Sequence, residues 1–198
     1  MSSYNYECFV KDFGDRTLKN YVNYHGEYEV TQLINSMLGL IIVPYELYSF
    51  HGHTNQNIEE DILSRTSYYE SVRNIIIRLM GQGRIRYDKY QSTHDYMPKV
   101  TPLLMRLRNC LAHPGNGIRF YPVAEGAGNV ITDVYFIDDT PDNSFVLKIR
   151  IEELRELTFE IAKMYSEAEP SLKASTVNRK YGEVSAWADK FLKGPLQK

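Results

Sequence analysis

The stretch MRLRNCLAHPGNGIRFYP, residues 105–122, gathers the side chains of this sequence that are best suited to chemistry on a phosphate ester. Within two helical turns it presents Arg106, Arg108, Asn109 and His113. Histidine transfers protons near neutral pH, and arginine offers a planar, permanently charged fork that fits phosphate oxygens. The alternative is an ordinary helix end, where basic side chains favour the helix dipole and His113 serves as a cap.

A helix over residues 98–113 would position these side chains, because its apolar residues recur at helical spacing. Arg106, Asn109 and His113 share the face opposite the apolar arc, whereas Arg108 is displaced by about 140° from His113 on an ideal wheel. The wheel therefore favours Arg106 as the partner of His113. The long arginine side chain and a frayed helix end keep Arg108 open as the alternative.

Other chemistry-bearing residues make weaker sites. His51 and His53 have a spacing that suits a metal, but no third ligand lies nearby in the sequence, so we predict no metal site. Cys110 falls on the apolar arc, where a buried thiol is usually inert. The run Gly81-Gln82-Gly83-Arg84 lacks the strand-turn-helix context of a phosphate-binding loop and predicts a helix stop.

The composition predicts one globular domain over residues 1–198. The chain has 43% hydrophobic residues and only two cysteines, which excludes a disulfide scaffold and predicts that both thiols are reduced. The longest apolar stretch, Met37–Val43, is far shorter than the roughly 20 residues of a membrane span. The N-terminus lacks the layout of a secretory signal, so we expect a cytoplasmic protein with no membrane partner.

The net charge of −2 conceals blocks of opposite sign along the chain. Residues 1–70 carry −6, residues 71–120 carry +7, residues 121–169 carry −7 and residues 170–198 carry +4. The basic block contains the stretch described above and predicts a surface for a polyanion. The alternative is that its cations are solvated or paired with the acidic blocks.

Hydrophobic periodicity predicts a mainly helical chain with a β-rich interruption. We expect strands in the runs IRFYPV, NVITDVYFI and FVLKIRI, and a polar linker with a short helix over residues 170–198. Pro44 is expected to kink or end the second helix. Residues 84–97 favour no element. The helices are expected over 4–24, 29–50, 58–80, 98–113 and 152–168.

Three features together resemble the HEPN family. Arg108-Asn109-Cys110-Leu111-Ala112-His113 is similar to its Arg-polar-x-x-x-His signature, late on a long bundle helix. The run VTQLINSMLGLIIVPYE resembles the early core helix of a HEPN subfamily found on bacterial plasmids and in defence loci. The order from His113 through strands to the helix ELRELTFEIAKMY is similar as well, so that the resemblance covers roughly residues 25–168.

This resemblance implies an antiparallel helical bundle with a small antiparallel β insertion over about residues 118–151. It also implies a dimer in which two motif helices face each other. Many HEPN proteins are metal-independent ribonucleases, and others keep the fold and serve only as partners. In that pattern Arg108 is the motif arginine, Asn109 the polar residue and His113 the histidine, with Arg106 as an addition.

The expected function is that of a metal-independent endoribonuclease without a cofactor, acting as a toxin or defence effector. The alternative is a catalytically inactive module for dimerisation or for binding RNA or a protein. An antitoxin or a nucleotidyltransferase would be its partner. Aromatic side chains of the basic block would either stack on bases or belong to the core; they are Tyr87, Tyr90, Tyr96 and Phe120. The cations expected to hold RNA are Arg84, Arg86, Lys99, Arg106 and Arg119.

Overall fold

The computed structural model describes a helical bundle with one small sheet on its side. The described residues are 9–26, 28–48, 59–87, 99–112, 118–125, 130–140 and 143–175. The helices are α1 (Phe9–Val22), α2 (Glu29–Met37), α3 (Val43–Tyr48), α4 (59–63), α5 (Tyr69–Gly81), α6 (Val100–Ala112) and α7 (Ile151–Ser175). The strands are β1 (Ile85–Tyr87), β2 (Ile118–Glu125), β3 (Val130–Thr140) and β4 (Asn143–Arg150).

The mainly helical fold with a small antiparallel sheet agrees with the sequence prediction. The strand order is β1-β4-β3-β2, with every neighbouring pair antiparallel. The three long strands coincide with the three predicted runs. The sheet also contains a strand that was not predicted, β1, which comes from the 84–97 segment that favoured no element. The sheet therefore extends beyond the predicted insertion over 118–151. None of the helices in the described part of the chain combines the length and the apolar character needed to cross a membrane.

Helices α6 and α7 form the centre of the core. The predicted apolar arc of α6 is buried throughout, with Val100, Leu103, Leu104, Leu107 and Cys110 each 0% exposed. Helix α7 packs against α1, α5, β3 and β4, while α6 packs against α3, α5, β2 and β3. The helix that carries the motif is therefore held between the bundle and the sheet.

The second predicted helix continues past Pro44 instead of ending there. A π-helical turn, Leu38–Ile42, joins α2 to α3, and the backbone N–H of Val43 bonds to the Leu38 carbonyl. Proline lacks an N–H and crowds the carbonyl of the preceding turn, which the wider π turn relieves. Pro44 is thus accommodated by a local widening of the helix.

The third predicted helix is interrupted between α4 and α5. Ser64 Oγ donates to the Asp61 carbonyl, and Thr66 Oγ1 donates to the Leu63 carbonyl. Ser67 N and Oγ both bond to Glu167 Oε2. Such hydroxyl bonds to nearby backbone compete with helix propagation, so this hydroxyl-rich segment forms a turn that α7 fixes.

The predicted stop after α5 is confirmed and directs the chain into β1. Gly83 has φ 66°, its N–H bonds to the Met80 carbonyl, and the N–H of Arg84 bonds to the Leu79 carbonyl. This is the Schellman arrangement, which favours glycine in the left-handed region. Because the chain reverses there, Ile85 lies opposite Leu147 at the edge of the sheet.

Helix α7 is longer than predicted and also fixes the start of α1. It continues through Pro170 to Ser175, so residues 170–175 are helical and not part of the expected linker. Leu172 is 0% exposed, and its burial holds this added segment to the core. Glu169 Oε1 and Oε2 accept hydrogen bonds from the backbone N–H groups of Val10 and Lys11, at 3.0 and 2.9 Å. A carboxylate there satisfies donors that a helix start leaves unpaired.

Several sequence predictions fall outside the described residues. They concern the start of the first helix before Phe9, the histidines at 51 and 53, the aromatic residues at 90 and 96, Pro98, His113 and the C-terminal helix over 183–192.

Candidate functional site

Glu60 fixes the start of the motif helix α6. Its Oε1 accepts a hydrogen bond from the N–H of Val100 at 3.0 Å, and its Oε2 accepts one from the N–H of Thr101 at 2.8 Å. The hydroxyls of Thr101 and Tyr69 also donate to this carboxylate. Four donors therefore converge on one buried side chain, which complements the positive end of the helix dipole. No local pattern indicates this contact, because 40 residues separate Glu60 from Val100.

Glu59, the residue before this cap, is a buried acid with an unsatisfied oxygen. It is 0% exposed, and its Oε1 accepts a hydrogen bond from Tyr165 Oη at 2.9 Å. Its Oε2 has no hydrogen-bond partner among the described residues. Burial raises the pKa of Glu59 from 4.5 to about 7; the Tyr165 hydrogen bond lowers it and the neighbouring charge of Glu60 raises it further.

Arg106 lies on the buried side of α6, in an ion pair with the sheet. Its Nη1 is 2.7 Å from Asp138 Oδ2, and the two side chains are 6% and 2% exposed. Asp138 belongs to β3, which packs on α6. The helical wheel placed Arg106 on a polar face of the helix. In the structure this side chain is buried, and its partner is the buried carboxylate of Asp138. A buried arginine held in this way is not placed for contact with a polyanion.

Arg108 and Asn109 lie together on the partly exposed side of the last turns of α6. Arg108 Nη1 donates to Asn109 Oδ1 at 3.0 Å, and both residues are half-buried. Met105 is half-buried and Ala112 is exposed on the same helix. The Arg108 and Asn109 side chains are therefore held in contact five and four residues before His113, which lies outside the described residues.

The other predicted RNA-binding cations have different settings. Arg84 is half-buried, where its Nη1 contacts Glu153 Oε2 and its Nη2 lies 3.5 Å from Asp133 Oδ1. Arg86 is exposed on β1, and Lys99 is exposed just before α6. Arg119 lies on β2, where its register partner is Ile137. Among the cations whose side chains the structure describes here, Arg86 and Lys99 are the exposed ones.

The Cys110 thiol and metal-binding side chains are the remaining candidates for chemistry near α6. Cys110 is a free, buried cysteine whose Sγ donates to the Ile137 carbonyl at 3.4 Å. Burial raises the pKa of Cys110 to about 12, and the nearby Asp138 charge adds to the effect, so this thiol stays protonated and unreactive. Within the described ranges, no group of three or more His, Cys, Asp or Glu side chains is placed to hold a metal ion.

The fold and the motif helix together define a class of protein. A helical bundle that carries Arg-Asn-x-x-x-His at the end of a central helix, followed by an antiparallel sheet and a long helix, has the plan of a HEPN domain. The family model described as HEPN pEK499 p136 matches residues 1–172. The chain belongs to this family, and the match extends further at both ends than the resemblance noted in the sequence. Searches of the curated proteins and of the solved structures each found no significant match.

Proposed function

We propose that this HEPN protein is a metal-independent endoribonuclease whose site is formed by Arg108, Asn109 and His113. The observation that carries the proposal is the contact between Arg108 and Asn109 on the partly exposed side of α6, at the start of the motif that His113 completes. Arg106, the competing arginine, is held in a buried ion pair with Asp138. The arrangement therefore supports Arg108 as the arginine of the site.

The proposed chemistry needs only protein groups and the RNA itself. The imidazole of His113 takes the proton of the 2′-hydroxyl, and the 2′-oxygen attacks the adjacent phosphorus. The guanidinium of Arg108 stabilises the negative charge that grows on the non-bridging oxygens, and Asn109 orients that guanidinium. The bond to the 5′-oxygen breaks and that oxygen takes up a proton, leaving a 2′,3′-cyclic phosphate and a 5′-hydroxyl.

We infer that the active form is a homodimer, because one motif supplies one histidine while the reaction uses a base and an acid. The side of α6 that faces away from the core supports this arrangement. Asn109 and Ala112 lie there three residues apart, with Asn109 half-buried and Ala112 exposed. Two such helices can approach closely about a two-fold axis, which would bring two motif ends into one cleft.

The dimer is tested by placing a charge on this side of α6. Ala112→Glu should leave the monomer fold intact, because Ala112 is exposed, but it would set two carboxylates against each other across the two-fold axis. Light scattering at micromolar concentration should show a dimer for the wild type and a monomer for this variant. Asn74→Glu, at an exposed position of α5, is the matched control and should remain dimeric. A monomeric wild type would refute the composite site.

The chemistry is tested with purified protein and single-stranded RNA in excess EDTA. Cleavage should yield the cyclic phosphate, and a DNA strand of the same sequence should survive because it lacks the 2′-hydroxyl. His113→Ala and Arg108→Lys should abolish or strongly reduce cleavage while the thermal midpoint is retained. Arg106→Lys should instead lower the midpoint and keep the activity of each folded molecule. Loss of activity in a stable Arg106→Lys protein would reverse the arginine assignment.

The second candidate function is a catalytically inactive module for dimerisation or for binding RNA or a protein. The ion pairs of Arg84 with Glu153 and of Arg106 with Asp138 favour it, because they use basic side chains for the fold. A clean dimer that never cleaves RNA would establish this alternative.

The biological setting that we propose is that of a toxin or defence effector, whose partner would be an antitoxin or a nucleotidyltransferase. Induced expression should then arrest growth, and His113→Ala should relieve the arrest. Arrest that persists with His113→Ala would separate the toxicity from the proposed site.

A further inference from the structure

The four-stranded sheet has one face buried against the helices and one face directed away from them. Alternate residues of β3 and β4 form the buried face; Val134, Phe136, Phe145, Leu147 and Ile149 are each 0% or 1% exposed. Because successive side chains of a strand point to opposite sides, the residues between them form the other face. We call this second set the outer face of the sheet.

Cross-strand register arranges the outer face in rows. In the first row Arg86 of β1 lies opposite Val146, and Val146 lies opposite Ile137. In the second row Lys148 lies opposite Tyr135. Arg86 and Val146 are exposed, whereas Ile137, Tyr135 and Lys148 are half-buried. The register continues into β2, where Arg119 is the partner of Ile137 and Tyr121 is the partner of Tyr135.

The chemistry of the outer face suits a flexible polyanion with flat apolar parts. Lys148 Nζ lies 5.6 Å from the centroid of the Tyr135 ring, so that a cation and an aromatic ring occupy the same row. The acidic side chains that the structure describes on this face lie toward its two ends. Asp133 is 8% exposed and contacts Arg84 at one end, and Asp139 is exposed at the other. Of the side chains that the structure describes on this face, Arg86, Lys148 and Tyr135 lie in the middle rows, and the acidic Asp133 and Asp139 lie in the end rows.

The first row lies across the sheet from the motif helix. Cys110 Sγ of α6 is 3.4 Å from the carbonyl oxygen of Ile137, which belongs to that row. Strand β2 is the outermost strand on this side and begins six residues after Ala112, the last residue of α6. The outer face and α6 therefore lie on opposite sides of the sheet, with the edge strand β2 packed against α6.

We propose that the outer face of the sheet is the platform that binds single-stranded RNA, with a base stacked on Tyr135 and phosphates bound by Lys148 and Arg86. The inference rests on the proposed function for the identity of its ligand, and it adds a binding surface that the motif does not contain. Stacking on an aromatic ring tolerates any base, so the platform selects an unpaired strand rather than a sequence. Lys148 and Tyr135 belong to the acidic block of the chain, where charge counting alone predicts no RNA contact.

Binding is measured separately from cleavage, by fluorescence anisotropy of a labelled RNA of about 12 nucleotides in EDTA. All proteins carry His113→Ala, so the RNA stays intact. Tyr135→Thr should raise Kd at least about fivefold, because one stacked base is lost. Tyr135→Phe keeps the ring and should restore affinity. Lys148→Gln should also weaken binding and should reduce the slope of log K against log salt by roughly 0.7, the value for one phosphate contact to a single strand.

A matched pair of control residues lies on the helical side of the protein. Lys163 Nζ is 5.3 Å from the centroid of the Tyr68 ring, close to the 5.6 Å of the Lys148–Tyr135 pair. Tyr68 is half-buried like Tyr135, whereas Lys163 is exposed. Tyr68→Thr and Lys163→Gln should leave Kd within about twofold of the parent. Thermal midpoints of all variants identify any change that comes from folding.

The outcomes distinguish this inference from the proposed function. RNA affinity that is unchanged in Tyr135→Thr and Lys148→Gln would overturn the platform, even if the wild type cleaves RNA. Equal losses in the control pair would overturn it as well. Tyr135-dependent binding by a wild-type protein that never cleaves would sustain the platform and refute the nuclease.

Discussion

Substitution of Glu59 by glutamine should make the protein more stable above neutral pH. The carboxyl of Glu59 is 0% exposed, and one of its oxygens has no hydrogen-bond partner among the described residues. Burial raises the pKa of this group to about 7, so the folded protein disfavours the charged form. Glutamine has nearly the same shape, keeps an oxygen for the Tyr165 hydroxyl and cannot ionise.

The magnitude follows from the difference between the two protonation equilibria. Below pH 4.5 the carboxyl is protonated in the folded and unfolded states, and the residue adds no pH dependence. Between pH 4.5 and about 7 the unfolded chain releases the proton and the folded chain keeps it, so the unfolding free energy falls as the pH rises. Well above pH 7 this loss reaches about 3 kcal/mol in the wild type, and Glu59→Gln avoids it.

The assay is thermal and chemical unfolding of both proteins from pH 4.5 to 8.5. At the highest pH the melting temperature of Glu59→Gln should exceed that of the wild type by roughly 6 to 12 °C, as expected for a chain of this size. The advantage should shrink toward zero as the pH falls to 4.5.

Glu60→Gln is the contrasting variant, one residue away on the same helix. Glu60 accepts hydrogen bonds from two backbone N–H groups of α6 and two hydroxyls, and a glutamine would turn its NH₂ group toward some of these donors. Glu60→Gln should therefore lower the unfolding free energy by about 2 kcal/mol or more, and this loss should persist across the pH range. A pH-independent difference between wild type and Glu59→Gln, or a variant less stable than the wild type at pH 8.5, would refute the buried-acid interpretation.

Three further predictions concern contacts that hold the fold around the site. Arg106→Ala should lower the unfolding free energy by about 3 to 5 kcal/mol, because it leaves Asp138 buried without that cation, and the double variant with Asp138→Ala should lose less than the sum of the single losses in urea titrations. Hydrogen bonding from Arg150 lowers the pKa of Glu153 to about 2, so wild-type stability should fall from pH 4.5 toward 2, and Glu153→Gln should flatten this acid dependence. Gly83→Ala should cost about 1 kcal/mol at its φ of 66°, whereas Gly81→Ala, inside α5 with open space around its Cβ, should be neutral or stabilising in calorimetry.

The sequence predicted the elements whose signal is local. The apolar arc of α6 and the three long strands follow from periodicity, and the glycine stop after α5 follows from turn chemistry. Each of these patterns needs only the residues within one element. The HEPN resemblance also needed no distant contact, because it depends on the Arg-polar-x-x-x-His motif and on the order of the elements along the chain.

The sequence was less informative where a distant contact decides the structure. The 64–68 turn is fixed by hydrogen bonds from Ser67 to Glu167, and the extension of α7 to Ser175 is held by buried Leu172. Strand β1 exists because Ile85 pairs with Leu147, more than 60 residues away. Local propensity cannot supply such partners, so these boundaries differ from the predicted ones.

The charges show most clearly why a linear count is a poor guide to a binding surface. Arg78, Arg84 and Arg106 belong to the basic block, and each forms an ion pair with a carboxylate of the acidic block. The two blocks therefore offset each other inside the fold, and their net charges of +7 and −7 do not describe separate surfaces. What a polyanion meets is decided by the cations that the fold leaves at the surface. On the outer face of the sheet these include Lys148, from the acidic block, which is why the proposed platform crosses the boundary that charge counting draws.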